Sequence, residues 1–220
     1  MVIEDKRIEL FPAAAAGAPL VIVNGMEGEG QSLYDAARSA SGSDFTLAAI
    51  SGIRWDDELT PWPASGVFRG RSFTGRADAY LDLLVDSILP QIVGSMPRPP
   101  ACTALAGYSL AGLFALYAAC RCGAFARLAS ASGSLWYPGF YEYFCENRWA
   151  RRPERVYLSV GDREAHARNA AMRTVEDNTR SMARLCREDG IWTRFELNPG
   201  GHFDDPRGRL AKAIAWLVAD

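Results

Sequence analysis

Lysine and histidine are scarce in this chain, and neither sign of charge is in excess. Only two lysines, Lys6 and Lys212, and two histidines, His166 and His202, occur among the 220 residues. The net charge of −2 argues against a nucleic-acid-binding protein, because such proteins usually carry a strong basic excess. Hydrophobic residues make up 49% of the chain, which excludes an intrinsically disordered protein.

Long uninterrupted hydrophobic runs are also lacking. The segment Phe11 to Val23 is apolar, but Pro12, Gly17 and Pro19 interrupt it, so we expect no membrane span. Residues Met1 to Leu10 are charged and have no apolar centre, so we expect no secretory signal.

Cysteine is present in an odd number, so the thiols cannot all pair within one chain. The five cysteines lie mostly in apolar patterns, where a free thiol behaves as a small hydrophobic group. Cys120 and Cys122 are two residues apart and would not share a helix face, which argues against a metal site there. A reducing, cytoplasmic setting fits these cysteines best.

Short apolar runs alternate with longer segments of helical spacing. Strands are predicted over residues 20–23, 45–50, 101–106, 126–131, 156–160 and 191–197, with an edge strand over 7–11. Helices are predicted over 31–40, 77–93, 110–120, 163–188 and 210–218, with Pro90 kinking or ending the second. This alternation predicts an α/β fold, a mostly parallel doubly wound sheet with helices on both faces. One domain over residues 1–220, without a large lid, is expected.

The segment Gly107-Tyr108-Ser109-Leu110-Ala111-Gly112 joins a predicted strand to a predicted helix. A serine flanked by small residues in that turn is typical of a nucleophile elbow, where crowding of strand and helix demands small neighbours. Here Ala111 stands where the strict pattern has a second glycine. The alternative interpretation is a serine N-cap on a core helix.

A serine nucleophile needs a general base, usually histidine. His202 lies in a glycine-rich loop between the last predicted strand and the last predicted helix, at the edge where parallel strands present their ligands. His166 lies in a polar helical segment and is expected to be exposed. The alternative for His202 is a histidine placed by chance in a surface loop.

The base in turn needs an orienting carboxylate. Gly161-Asp162-Arg163-Glu164 follows the predicted strand 156–160, so Asp162 or Glu164 could serve, and spacing does not choose between them. Acids in a first helical turn can instead simply complement the helix dipole. The order nucleophile, acid, histidine is that of the α/β-hydrolases.

An oxyanion hole needs two backbone amides. The residue after the nucleophile, Leu110, is one candidate. The glycine-rich loop after the strand 20–23 offers Met26, with Gly25 as the second choice, although a flexible surface turn would look the same. This loop lacks the lysine of a phosphate-binding loop, so we do not expect it to bind phosphate.

Aromatic residues follow two predicted strand ends. The segment 51–75 contains Trp55, Trp62 and Phe68, and Ser134 and Trp136 follow the strand 126–131. We expect Trp55, Trp62, Ser134 and Trp136 to line a pocket suited to an acyl or aromatic ester. Capping of the core is the equally simple alternative for the aromatic rings.

Taken together, the sequence resembles the esterase D and enterochelin-esterase-like branch of the α/β-hydrolases. The motifs that carry this resemblance are Asn24-Gly25-Met26, Gly107 to Gly112, Ser130 to Trp136, Gly161 to Glu164 and Gly201-His202. The resemblance implies that Glu164 is the triad acid, with Asp162 second, and it supports the Met26 amide as an oxyanion donor. It also implies that the serine-rich stretch before Trp136 lines the pocket.

The expected function is hydrolysis of a small-molecule carboxylic ester by a Ser-His-acid triad, without a metal or organic cofactor. Thioesterase, acyl transferase and peptidase activities use the same triad and remain open, as does a non-catalytic binding module with this fold. Neither a nucleic acid nor a membrane is expected as a partner. A homodimer is compatible with the helical faces, and no residue pattern decides the oligomeric state.

Overall fold

The computed structural model describes residues 1–65 and 72–219. The strands are β1 (Val2–Ile3), β2 (Lys6–Phe11), β3 (Leu20–Asn24), β4 (Thr46–Ser51), β5 (Pro63–Ser65), β6 (Ser72–Thr74), β7 (Thr103–Tyr108), β8 (Arg127–Ala131), β9 (Arg155–Gly161) and β10 (Trp192–Asn198). The helices are α1 (Gly30–Ser41), α2 (Trp55–Glu58), α3 (Ala77–Leu83), α4 (Leu89–Ser95), α5 (Leu110–Arg121), α6 (Phe140–Glu146), α7 (Val175–Glu188) and α8 (Pro206–Val218).

Eight strands form one sheet in the order β1-β2-β4-β3-β7-β8-β9-β10. From β4 to β10 every neighbouring pair is parallel, whereas β1 and β2 are added antiparallel. The predicted edge strand over 7–11 is β2, and the short β1 lies outside it. The carboxyl ends of β3, β7, β8, β9 and β10 therefore meet at one edge of the sheet, where open α/β sheets bind ligands.

Alternate side chains of the parallel strands β3, β4, β7, β8 and β9 enter two separate cores, whereas the edge strand β10 is mostly half-buried or exposed. Val21 and Val23 pack with α1 and α8 on one face, whereas Leu20 and Ile22 pack with α3, α5 and α7 on the other. Helix α5 is buried almost throughout. Burial on both faces explains why the strands are continuous apolar runs. The predicted mostly parallel sheet between two helical layers is confirmed.

Pro90 changes the helix around it without ending it. A π-helical turn, Leu84–Ile88, joins α3 to α4, and the Leu89 amide donates to the Leu84 carbonyl across it. Pro90 has no amide hydrogen to donate one turn back, and the wider turn accommodates this loss. The helix continues to Ser95, so of the two predicted alternatives, a kink or an end at Pro90, the end is ruled out.

The predicted helix over 163–188 is wrong in nearly its first half, over residues 163–174. A short 3₁₀ turn, Glu164–His166, is followed by extended backbone at Ala167, and the regular helix begins only at Val175. The buried Glu164 carboxylate accepts a hydrogen bond from the Gly161 amide at 2.7 Å, which folds the chain back on itself. That local turn competes with helix formation.

No helix within the described ranges combines the length and the apolar character needed to cross a membrane.

Candidate active site

Ser109 lies in the sharp turn between β7 and α5. Its backbone angles are φ 57° and ψ −124°, a region that non-glycine residues rarely occupy and that costs roughly 1–3 kcal/mol. A Cβ atom at Gly107 would lie 2.2 Å from the Ala111 backbone, so only glycine fits there. Strand and helix thus crowd together at the predicted elbow, and the serine is held in a strained conformation.

The alanine in place of the second elbow glycine is accommodated. The backbone of Ala111, not its side chain, makes the close approach to Gly107. The next residue, Gly112, is the tighter position, because a Cβ atom there would lie 2.9 Å from the Ser130 Oγ and 3.0 Å from the Gly133 Cα. The requirement for a small residue is met one position later than in the strict motif.

Ser109, His202 and Glu164 form a hydrogen-bonded line. His202 Nε2 lies 3.1 Å from the Ser109 Oγ, and His202 Nδ1 lies 2.8 Å from the Glu164 Oε2. An ionised carboxylate can only accept, so Nδ1–H donates to Glu164 and Nε2 accepts the serine hydroxyl. This arrangement can take a proton from Ser109 and hold it on the imidazole.

The Glu164 carboxylate is buried yet stays ionised. Burial by itself raises the pKa of this carboxyl, but hydrogen bonds from His202, Ser132 and the Gly161 amide outweigh the burial and lower its pKa. The backbone at Gly161 allows this contact, because a Cβ atom there would lie 2.3 Å from the Gly200 carbonyl oxygen. The loop after β9, which carries Glu164, thereby approaches the loop after β10, which carries His202.

Asp162 has a different role in the same region. Its Oδ1 accepts the Gly200 amide at 2.8 Å, and its own amide donates to the Asn198 carbonyl at 2.8 Å. It therefore ties the end of β9 to the loop that carries His202. Of the two acids left open by the spacing, the structure brings Glu164 to the imidazole and Asp162 to the loop backbone.

The two predicted amide positions flank the elbow. Leu110 is the first residue of α5, and amides in a first helical turn have no acceptor within the helix. The loop after β3 adjoins it, because β3 pairs directly with β7. Within that loop the Gly25 amide donates to the Ile50 carbonyl at 2.9 Å and is therefore engaged, whereas Met26 is the next residue along.

The predicted pocket residues divide into two groups. The Ser134 Oγ lies 3.3 Å from the Ser109 Oγ, directly beside the nucleophile position. Trp62 packs against Tyr137 and donates from its indole to the Pro138 carbonyl at 2.9 Å. Trp136 is only 8% exposed.

Trp62 and Trp136 thus pack against other aromatic rings. Trp55 is half-buried against the core at the start of α2. Phe68 lies outside the described residues. Contact of the tryptophans with substrate stays a prediction.

Arg209 was missed by the sequence reasoning. Its guanidinium is buried beside Glu164 and donates to the Glu164 Oε1 at 3.1 Å. It also donates to the Ser132 Oγ at 3.0 Å and to the Pro199 carbonyl at 2.8 Å. The available signal was its place on α8, where Ala213 lies one turn away on the buried face, so that an arginine there demands partners.

Comparison with known proteins shows the family of this chain. Residues 69–205, more than half of the chain, match the family model described as "Putative esterase". The chain is similar to the uncharacterized protein YbbA of Bacillus subtilis, with 28% identity over 139 residues. That alignment covers 61% of this chain and 56% of YbbA, so it spans little more than half of the relative's length.

Solved structures share the fold over almost the whole chain. The siderophore hydrolase EstA of Aspergillus nidulans superposes with a TM-score of 0.73 and 21% identity, covering 96% of this chain and 89% of EstA. An IroE-like serine hydrolase of Shewanella oneidensis gives a TM-score of 0.78 and 16% identity, covering 97% and 75%. The enterobactin esterase FES of Shigella flexneri gives a TM-score of 0.71 and 21% identity, covering 96% and 55%.

The fold and the family match point to the same group of proteins. The sheet order, the elbow between β7 and α5 and the structural neighbours are those of an α/β-hydrolase. The chain belongs to the esterase family of α/β-hydrolase fold proteins.

Proposed function

We propose that this protein hydrolyses carboxylic esters of small molecules, with Ser109 as nucleophile, His202 as general base and Glu164 as the acid that orients the histidine. One observation carries the proposal. The three side chains form a continuous line with contacts of 3.1 Å and 2.8 Å, starting from a serine in the strained elbow conformation. A nucleophile, a base and an orienting acid, hydrogen-bonded in this order, are the groups that acyl transfer through a serine requires.

In the first half-reaction the Ser109 Oγ attacks the ester carbonyl carbon while its proton moves to His202 Nε2. The tetrahedral intermediate collapses, the bond from the carbonyl carbon to the alkoxy oxygen breaks, and the alcohol leaves with the proton from His202. Glu164 keeps the imidazole in the productive tautomer and stabilises the imidazolium that forms. An acyl group then remains on Ser109.

The oxyanion of that intermediate needs fixed donors. The Leu110 amide is one donor, because it lies in the first turn of α5 and has no acceptor within the helix. The loop that follows β3, the strand next to β7, supplies the Met26 amide as the other. The Gly25 amide is already bonded to the Ile50 carbonyl, which favours Met26 as the second donor. In the second half-reaction His202 deprotonates a water molecule, water attacks the acyl carbon, and the carboxylic acid leaves as Ser109 regains its proton.

The substrate class is a small-molecule ester. The neighbours named as siderophore and enterobactin hydrolases make siderophore esters one class to assay beside simple alkyl and aryl esters. Ser134 lies next to the nucleophile and is placed to contact the acyl group.

The proposal is tested by hydrolysis of p-nitrophenyl acetate and butyrate. Ser109→Ala and His202→Ala should each lower kcat by at least about a thousandfold with folding retained. His166→Ala is the matched control, because His166 is exposed and the chain has no other histidine besides His202. Unchanged hydrolysis by Ser109→Ala would overturn the proposal.

A wild-type protein inactive on both esters calls for a second measurement. Reaction with a fluorophosphonate probe separates a narrow substrate range, in which Ser109 is still labelled, from a binding module, in which it is not.

A further inference from the structure

We propose that Arg209 is a positioning residue, which divides the two oxygens of the Glu164 carboxylate so that one of them is reserved for His202. The inference rests on the proposed function, because it assigns Arg209 a role in the same triad. Arg209 is 2% exposed, and its guanidinium hydrogen-bonds to groups at the carboxyl ends of β7 to β10 and in the loops that follow them.

A buried guanidinium is costly unless it is paired and hydrogen-bonded. In the described part of the chain, Glu164 is the carboxylate that pairs with Arg209, and the two side chains are 4% and 2% exposed, respectively. An arginine that filled space alone would be replaced without penalty by an apolar residue of similar volume. Here its charge is matched to one carboxylate, and that carboxylate is the one facing His202.

The two oxygens of Glu164 receive different donors. Oε1 accepts the Gly161 amide at 2.7 Å and the Arg209 Nη1 at 3.1 Å. Oε2 accepts His202 Nδ1 at 2.8 Å. Because Oε1 is saturated by groups fixed in the fold, the carboxylate cannot rotate freely, and Oε2 stays directed at the imidazole.

The same guanidinium also holds the backbone that carries the histidine. Its Nη2 donates to the carbonyl of Pro199, three residues before His202, at 2.8 Å. Its Nη1 lies 3.5 Å from the Tyr108 hydroxyl, and that hydroxyl donates to the His202 carbonyl at 2.6 Å. Arg209 therefore connects the acid, the histidine loop and the strand that ends at the nucleophile.

Two consequences follow from this position behind Glu164. Arg209 has no access to substrate, so its loss should lower kcat and leave KM nearly unchanged. Within the described residues, the charged and titratable groups that interact with Glu164 are His202, Arg209 and Tyr108. Without the arginine, the buried Glu164–His202 pair has one cation fewer beside it, which favours the protonated form of the pair, so activity is lost at a higher pH on the acid side.

Kinetics on p-nitrophenyl acetate test the positioning role. Arg209→Met should lower kcat about 10- to 100-fold, as expected when a catalytic group is misplaced, with KM within about twofold of wild type. Arg207→Met is the matched control, an exposed arginine on the same helix, and should match wild type. Arg209→Lys keeps the charge without the planar fork, so it should return the acid limb of the pH–rate profile towards wild type and restore kcat only in part.

Thermal unfolding gives an independent readout that needs no activity. In Glu164→Gln, Arg209 is buried without its counter-charge, so the Tm should fall. Adding Arg209→Met to Glu164→Gln removes the unpaired cation, so the double variant should melt at a higher temperature than Glu164→Gln. Its kcat should equal that of Glu164→Gln within about twofold, because both residues act as one unit.

The outcomes separate the two proposals. Wild-type kcat and acid limb in Arg209→Met would overturn the positioning role. If Arg209→Met does not fold, the double variant decides, and a double variant no more stable than Glu164→Gln would overturn it. If Ser109→Ala retains activity, the proposed function is wrong. The Tm difference between Glu164→Gln and the double variant still measures the pairing of Arg209 with Glu164.

Discussion

Two buried carboxylates of this protein are each paired with a buried cation, yet they are built for different purposes. Glu164 faces Arg209 at the carboxyl ends of β8 to β10, and Glu58 faces Lys6 beside β2 at the other side of the sheet. Both cations are nearly inaccessible to solvent, Arg209 at 2% and Lys6 at 0%. Burial and pairing alone therefore do not distinguish a functional carboxylate from a structural one.

The difference lies in how the second oxygen is used. Glu58 Oε1 accepts Lys6 Nζ at 2.9 Å and Arg54 Nη2 at 2.6 Å, and its Oε2 accepts the Arg54 amide at 2.8 Å. Every oxygen of Glu58 is thus bound to a group that stays protonated. In Glu164 only Oε1 is bound by groups of the surrounding fold. Its Oε2 contacts the His202 imidazole, which also contacts Ser109.

Exchanging each acid for its amide should give the largest contrast. Glu164→Gln should lower kcat for p-nitrophenyl acetate by about a thousandfold or more, because an amide nitrogen facing Nδ1 favours the wrong tautomer of His202. Glu58→Gln should leave kcat within about twofold while lowering the Tm. Steady-state kinetics and thermal unfolding of both variants measure this, and equal losses of kcat would break the distinction.

Removing the structural cation should affect stability alone. Lys6→Met leaves Glu58 buried with Arg54 as its remaining cation, and we expect a loss of about 2–3 kcal/mol in the free energy of unfolding, somewhat less than for a pair left wholly unpaired. Urea unfolding measures the loss. The folded fraction should keep the wild-type kcat, and a tenfold fall in kcat would connect the two regions.

A smaller effect is expected in the pH dependence of stability. The pKa of Glu164 is lowered from its ordinary value of 4.5, so its ionisation stabilises the fold above that value and the contribution is lost as pH falls towards the lower folded pKa. The stability lead of wild type over Glu164→Gln should therefore shrink as the pH falls below about 4.5. Urea unfolding from pH 7 to pH 3 tests this, and a lead that grows as pH falls would contradict it.

Much of the fold was predictable because the central parallel strands are buried on both faces and therefore stand out as apolar runs, whereas the half-exposed edge strand β10 was visible only from its alternating pattern. The elbow was equally visible, because the clash of any Cβ at Gly107 with Ala111 requires a small residue in the sequence itself. His202 followed from chain order and from the scarcity of histidine.

The missed features depend on side-chain direction and long-range contacts. Spacing could not choose between Asp162 and Glu164, because both follow the same strand and only the folded loop decides which one faces the imidazole. The start of α7 was misplaced because the Glu164 turn is stabilised by groups about 40 residues further along the chain. Arg209 lies one residue before the predicted helix 210–218, and its partners in the fold are distant in the chain.

Covalent labelling shows directly whether Ser109 is an activated nucleophile. The measurement is the intact mass of wild type and Ser109→Ala after reaction with a fluorophosphonate, followed by peptide mapping. We expect one adduct per chain on the peptide that contains Ser109, and none in Ser109→Ala. A wild-type protein that stays unlabelled, or an adduct that persists in Ser109→Ala, would contradict it.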